Sequence, residues 1–301
     1  VDEMLQIIMG ALSLGLLWSI MTIGVYITYR ILDIADLTVE GSIAMGAAIA
    51  AQAITAGIDP YLSTFLAMLG GMAAGLVTGI FHTRLKIPAL LSGILTMIAL
   101  YSINLRIMGK ANISLLRVDT VYTVFQRLGL DRNGSAIVLG LICVTAIVVI
   151  LYWFFGTEIG CAIRATGNNP KMVRAQGINT NNTILIGLMI SNGLVAVSGA
   201  LIAQYQSYAD IQMGVGSIVI GLASVIIGEV LFGRKHFMRR LISLVLGSIT
   251  YRFIIAFVLK LGMPANDLKL FTAITVAVAL ALPTIRKYIH PVKITIVEEG
   301  E

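Results

Sequence analysis

The chain has 301 residues, of which 58% are apolar and only 12% charged. A soluble domain carries about twice that charged fraction, so too little charge is present to cover a water-facing surface. The formal net charge is +6, but its basic residues fall in short segments between apolar runs. That placement fits membrane topology and argues against a nucleic-acid partner, since no basic segment is interleaved with aromatics suited to base stacking.

Runs of roughly 17–25 residues that avoid charge predict about nine spans and an all-α, polytopic helical bundle. The first run covers 5–29 and is ended by Arg30. It is too long for a signal-peptide core and has no basic segment before it, so it reads as a retained helix. A second run at 41–56 follows DIADLTVEG, whose acids Asp33, Asp36 and Glu40 would be costly in lipid without partners. Asp36 or Thr38 is suited to cap a helix beginning near Gly41. The acids either sit in an interfacial loop or line a break in the helix, a feature common at transport sites.

Further runs lie at 62–80, ended by HTRLK, and at 87–103. Gly75 and Gly79 form a small-residue pair at i,i+4 that predicts helix packing within the subunit, with a dimer contact as the alternative. Region 104–134 is broken by Arg117, Asp119 and Arg127 and is placed outside the hydrocarbon, with room for a short helix on the outer face. Spans follow at 136–155, 184–203, 217–232, 241–259 and 270–283. Alternate loops carry Arg84 and Lys86; Arg164, Lys171 and Arg174; and Arg234, Lys235, Arg239 and Arg240, with Arg286, Lys287 and Lys293 in the tail. The positive-inside rule puts that side in the cytoplasm and the N-terminus outside.

Within the spans, Arg252 should face the protein interior, either in an ion pair, snorkelling, or against a substrate carboxylate. Glu229 is placed near the cytoplasmic end, against a basic loop residue such as Arg234 or at a gate. Asn192 needs a hydrogen-bond partner in hydrocarbon, in a neighbouring helix or along a pathway. Asp36, Glu40, Asn192, Glu229 and Arg252 are therefore the candidate pathway or gate residues. Cys143 and Cys161 have no disulfide or metal spacing, and His82, His236 and His290 form no ligand pattern.

The loop at 156–183 reads GTEIGCAIRATGNNPKMVRAQGINTNNT. Glu158 to Ala165 predicts a short helix that Gly167 ends. Asn168 or Asn169 then caps a second one, with Pro170 at its first position and Gly177 as its stop. Two turns are too few to stand alone in water, so this helix must dock on its own protein or on a partner.

Gly160, Ala162, Ile163, Arg164, Ala165, Gly167, Asn169, Pro170, Ala175, Gly177 and Ile178 make this loop resemble the cytoplasmic coupling segment of ABC permeases in the branched-chain amino acid and ribose importer group. DLTVEG at 36–41 resembles a D-L-S-V-G element of the same group, with Thr38 and Glu40 as departures. The run at 217–233, including Gly228 and Gly233, is also similar. The resemblance implies a single permease domain over 1–301 in the bacterial cytoplasmic (inner) membrane. It implies ATPase coupling through Arg164, Ala165, Gly167, Asn169, Pro170, Lys171, Arg174, Ala175 and Gly177. It further implies a second permease subunit as homodimer partner, two cytoplasmic ATPase subunits, and an external substrate-binding lipoprotein delivering a small solute, with an amino acid favoured.

No G-x-x-x-x-G-K-[ST] run is present, so no phosphate cradle is expected on this chain. It is expected to hold no cofactor; ATP and Mg would belong to the partner ATPase. The chain is expected to be a transport subunit and not an enzyme. An ion-coupled secondary transporter is the alternative, but it would need coupling acids inside the spans, whereas most acids here sit at span edges.

Overall fold

In lipid a backbone must satisfy its own hydrogen bonds, and the apolar runs of this chain do so as helices. The structure is a computed structural model and describes residues 2–233, 235–261, 270–278 and 281. Its membrane helices are α1 (Asp2–Tyr26), α2 (Thr38–Thr55), α3 (Pro60–Thr83), α4 (Ala89–Met108), α6 (Arg132–Phe154), α9 (Thr180–Gln206), α10 (Ser217–Phe232) and α11 (Phe237–Lys260). Residues 270–278 are also helical. Between them lie α5 (Thr123–Arg127), α7 (Glu158–Asn168) and α8 (Pro170–Ala175). Every run expected to span has helix at its centre.

Among the described residues six segments are long and apolar enough to cross a membrane: Met4–Ile31, Pro60–Thr83, Ala89–Met108, Arg132–Phe154, Thr180–Gln206 and Phe237–Lys260. The first does not end at Arg30 as its charge suggested. A π-helical turn, Ile27–Ile31, carries the helix through that residue, because the Arg30 guanidinium finds a carboxylate partner inside the protein. Helix α2 starts at Thr38, three residues earlier than read, because the polar residues there are bonded within the bundle. Helix α10 has only 16 residues, about 24 Å of helix, short for a full crossing.

Helix α9 runs through the middle of the bundle and packs on α1, α2 and α3. Gly75 of α3 allows that approach, since a Cβ there would collide with the Leu188 carbonyl of α9; Gly79 meets Leu185 one turn further on. The small-residue pair thus packs two helices of the same subunit.

The end of the bundle away from α7 and α8 carries a feature outside the all-α expectation, a two-stranded antiparallel pair. Strand β1 (Asn112–Ser114) meets β2 (Tyr208–Asp210), with Ile113 opposite Ala209. Helix α5 is a short helix within 104–134, where one was expected. Tyr122, just before it, is buried, and its hydroxyl donates to the Leu201 carbonyl at 3.0 Å. Burial pushes that phenol well above the ordinary tyrosine range. Gln204 ties the same end together, accepting from the Val121 N–H at 3.0 Å and donating to Thr64 Oγ1 at 3.0 Å.

Candidate functional site

At the opposite end, α7 and α8 form a small foot. Thr157 caps α7, its hydroxyl accepting from the Gly160 N–H at 3.3 Å. Helix α7 then runs past Gly167 to Asn168, so Gly167 is not the stop that its sequence position suggested. It is glycine for packing: a Cβ there would strike the Ile31 carbonyl and crowd Leu32. The foot is thereby seated on the π-turn that ends the first membrane helix. Buried Ile163, and a 2.8 Å hydroxyl pair between Thr166 and Thr183 of α9, hold it there.

Helix α8 matches the sequence reading closely. Asn169 Oδ1 accepts from the Met172 N–H at 3.1 Å, and Pro170 occupies the first position. Gly177, with φ +82°, ends the helix by donating from its N–H to the Arg174 carbonyl at 3.0 Å. Val173 is fully buried beneath it, while Met172 is 47% exposed, and Lys171, Arg174 and Ala175 face outward. Two of the three basic residues named for coupling, Arg164 and Arg174, also have partners in their own chain. Arg174 Nε donates to Thr180 Oγ1 at 2.6 Å; Arg164 lies over the Phe237 ring at 5.6 Å and donates to Cys161 Sγ at 3.4 Å. Ala165 is half-buried against the bundle.

Directly behind the foot, residues 32–37 turn back into the bundle. Asp36 is buried there with both carboxylate oxygens engaged. Oδ1 accepts from the Thr38 N–H at 2.9 Å, and Oδ2 accepts from Asn192 Nδ2 at 2.8 Å. Asp36 thus satisfies the first N–H of α2 from the residue before its N-cap, Leu37, which has no side-chain capping bond of its own. Asn192 Oδ1 accepts from the Ser42 hydroxyl at 2.6 Å. Thr38 pairs with Thr78 of α3 at 2.7 Å, and Thr78 donates to Thr96 of α4 at 2.9 Å. A polar thread therefore runs from α9 through the re-entrant turn to α3 and α4. Asp36 and Asn192, singled out separately in the sequence, touch. Thr78, Thr96 and Ser42 were missed, because isolated hydroxyls in apolar runs usually bond only their own helix.

The other candidates are dispersed. Glu40 Oε1 accepts from the Gly216 N–H at 3.0 Å, at the start of α10. Glu229 is buried and pairs with Arg30 at 2.7 Å, a partner 199 residues away that local sequence could not reveal. Arg234, the neighbour expected for it, lies outside the described residues. Arg252 lies over the Trp18 ring at 4.2 Å, with no carboxylate in ion-pair range among the described residues. It lines a cavity of about 400 Å³ with Tyr251, Thr272 and Val215.

Among the described residues no cluster of His, Cys, Asp or Glu could hold a metal ion. Cys143 and Cys161 are free; His82 Nδ1 bonds the Ile87 carbonyl at 3.0 Å, and His290 lies outside the described residues.

Residues 7–283 match the family described as branched-chain amino acid transport system / permease component. A tyrosine transport system permease protein of Clostridioides difficile is 45% identical over 276 residues, covering 91% of this chain and 90% of that one. A branched-chain amino acid transport permease protein of Methanocaldococcus jannaschii is 26% identical over 254 residues, covering 79% and 77%. Among solved structures, PsaBC from Streptococcus pneumoniae superposes with a TM-score of 0.51 over 93% of this chain and 91% of that one; at 17% identity the likeness concerns the fold. The chain belongs to the branched-chain amino acid transport permease family, and is a multi-pass, non-catalytic permease component of an ABC importer for a small solute in the cytoplasmic membrane.

Proposed function

We propose that this chain imports an amino acid of the tyrosine class. In this reading two copies enclose one pathway, two cytoplasmic ATPase subunits grip α8, and an external lipoprotein delivers the substrate. The identity shared with the tyrosine permease supports the substrate class. The observation that carries the coupling role is the two-sided build of α8. Val173 fastens its inner face, while Lys171, Met172 and Ala175 remain outward at the end holding the basic loops. An exposed methionine on a docked helix gives a partner a deformable apolar contact, and Lys171 adds a charge for recognition.

The foot also has a route inward. A push on α8 passes to α7 and, through the close contact at Gly167, to Ile31 and Leu32. The next residues are the re-entrant turn, whose Asp36 and Thr38 are bonded to α9 and α3. The π-turn at Ile27–Ile31 lies on this route, and such turns occur frequently at functional sites. In this account, ATP binding moves the foot and the turn moves with it, opening or closing the pathway beside α2 and α10.

Reconstitution of the chain with its ATPase and binding protein in proteoliposomes tests the reading. ATP-dependent uptake of tyrosine that vanishes without the ATPase is the expected result. Uptake driven by an ion gradient with no ATPase present would instead favour a secondary transporter and overturn it.

A further inference from the structure

Helices α2 and α4, with the turn at 211–216, enclose a cavity of about 350 Å³. Its polar wall is made by Glu40, Asn104, Tyr101 and Ser102, and its apolar wall includes Met97 and Ile98. Ile98 and Tyr101 are more than half exposed on the flank of the subunit, so the cavity is reached from outside the bundle. The volume lies in the range of small-molecule sites.

Two residues of this wall, Asn104 and Glu40, carry oxygen acceptors, and that of Asn104 is unfulfilled among the described residues. Asn104 is 1% exposed, and its Nδ2 donates to the Gly41 carbonyl at 3.2 Å. That bond fixes which end of the amide is nitrogen, and it leaves Oδ1 buried with no hydrogen-bond partner among the described residues. A buried carbonyl without a donor is unfavourable, so the site lacks a donor that something should supply. Glu40 commits Oε1 to the Gly216 N–H and lines the same cavity. Among the described residues no basic side chain lines it.

We infer that this cavity is a subsite for a primary ammonium group, with Glu40 and Asn104 Oδ1 as its principal acceptors. An ammonium carries three donors, no acceptor and one positive charge. That matches one carboxylate, one orphaned amide oxygen and a nearby hydroxyl. A carboxylate or phosphate would meet the Glu40 charge with no cation to offset it. The ammonium chemistry follows from the cavity itself; only the choice of an amino acid as its bearer rests on the import reading above.

The test uses the complete reconstituted complex and three probes: L-tyrosine, tyramine, which keeps the ammonium, and 3-(4-hydroxyphenyl)propanoate, which lacks it. In the wild type, tyrosine and tyramine should raise the melting temperature of the complex and the propanoate should not. Glu40→Gln keeps an oxygen for the Gly216 N–H while removing the charge. It should raise the half-saturating tyramine concentration about tenfold or more, as loss of a charge-assisted bond predicts. Asn104→Leu should weaken tyramine by a smaller factor. Propanoate acting as strongly as tyramine, or Glu40→Gln and Asn104→Leu both leaving the tyramine midpoint unchanged, would overturn the inference. The wild-type comparison of probes stands even if one variant fails to fold. Tyramine binding without ATP-driven tyrosine uptake would reject the import reading and leave the ammonium subsite intact. Normal tyrosine KM in a folded Glu40→Gln complex would do the reverse.

Discussion

The foot formed by α7 and α8 and the re-entrant turn behind it are neighbours built on different plans. The helix ends of the foot are set by short-range contacts: Thr157 caps three residues on, Asn169 caps three residues on, and Arg174 reaches six residues to Thr180, while its seat at Gly167 on Ile31 reaches far back along the chain. The re-entrant turn is assembled from long-range ones: Asp36 to Asn192 spans 156 residues and Thr38 to Thr78 spans 40. Local construction lets the foot yield or refold without dismantling the bundle, whereas the turn cannot move without rearranging bonds to α3 and α9. In the proposed reading, the part a motor would grip and the part that would transmit the motion therefore differ in stability as well as in place.

Substitutions should break this contrast in a graded way. The largest effect is expected at the turn. Asp36→Leu strands the Thr38 N–H and one of the two Asn192 Nδ2 hydrogens, the other still bonded to the Leu188 carbonyl, and should destabilise the whole protein by on the order of 3 kcal/mol in thermal unfolding. Asp36→Asn, which keeps an acceptor, should cost clearly less. Next comes the anchor of the foot. Val173→Asp puts a charge in a site fully closed to solvent and should release α8, weakening ATPase association on the order of 100-fold. The unfolding midpoint of the bundle should hardly change, which separates the foot from the turn.

A third substitution tests the link between α1 and α10. Glu229→Ala removes the carboxylate that holds Arg30, whose side chain is 36% exposed. Water can partly solvate the abandoned guanidinium, so the loss should be about 1–2 kcal/mol, below the value for a fully buried pair. Exchanging the two charges should recover part of it. Asn169→Ala should cost about 1 kcal/mol, confined to α8 and read by hydrogen exchange of its amides. Smallest is Met172→Ala, which should leave stability within about 0.5 kcal/mol while lowering ATPase affinity less than about tenfold.

The same contrast explains what could be read from sequence. Helix α8 was legible residue by residue because Asn169, Pro170 and Gly177 act within one turn of where they stand. The spans were legible because hydrocarbon imposes a length and an absence of charge. Gly167 was read with the wrong role: its partner, Ile31, is contributed by a segment more than a hundred residues earlier, and a local rule assigned it a turn instead. Arg30 looked like the end of a helix because charge usually is, and only its distant partner Glu229 shows why the helix continues. Asn104 gave no local signal at all, since one amide in an apolar run is ordinary until its neighbours are known.

Site-specific labelling of Met172→Cys, in a Cys161→Ser background that removes the exposed native thiol, tests the account most directly. A membrane-impermeant maleimide should modify this position in inside-out vesicles and not in intact cells, and bound ATPase should protect it. Labelling from the cell exterior, or unchanged labelling with the ATPase bound, would contradict a cytoplasmic foot held by the motor.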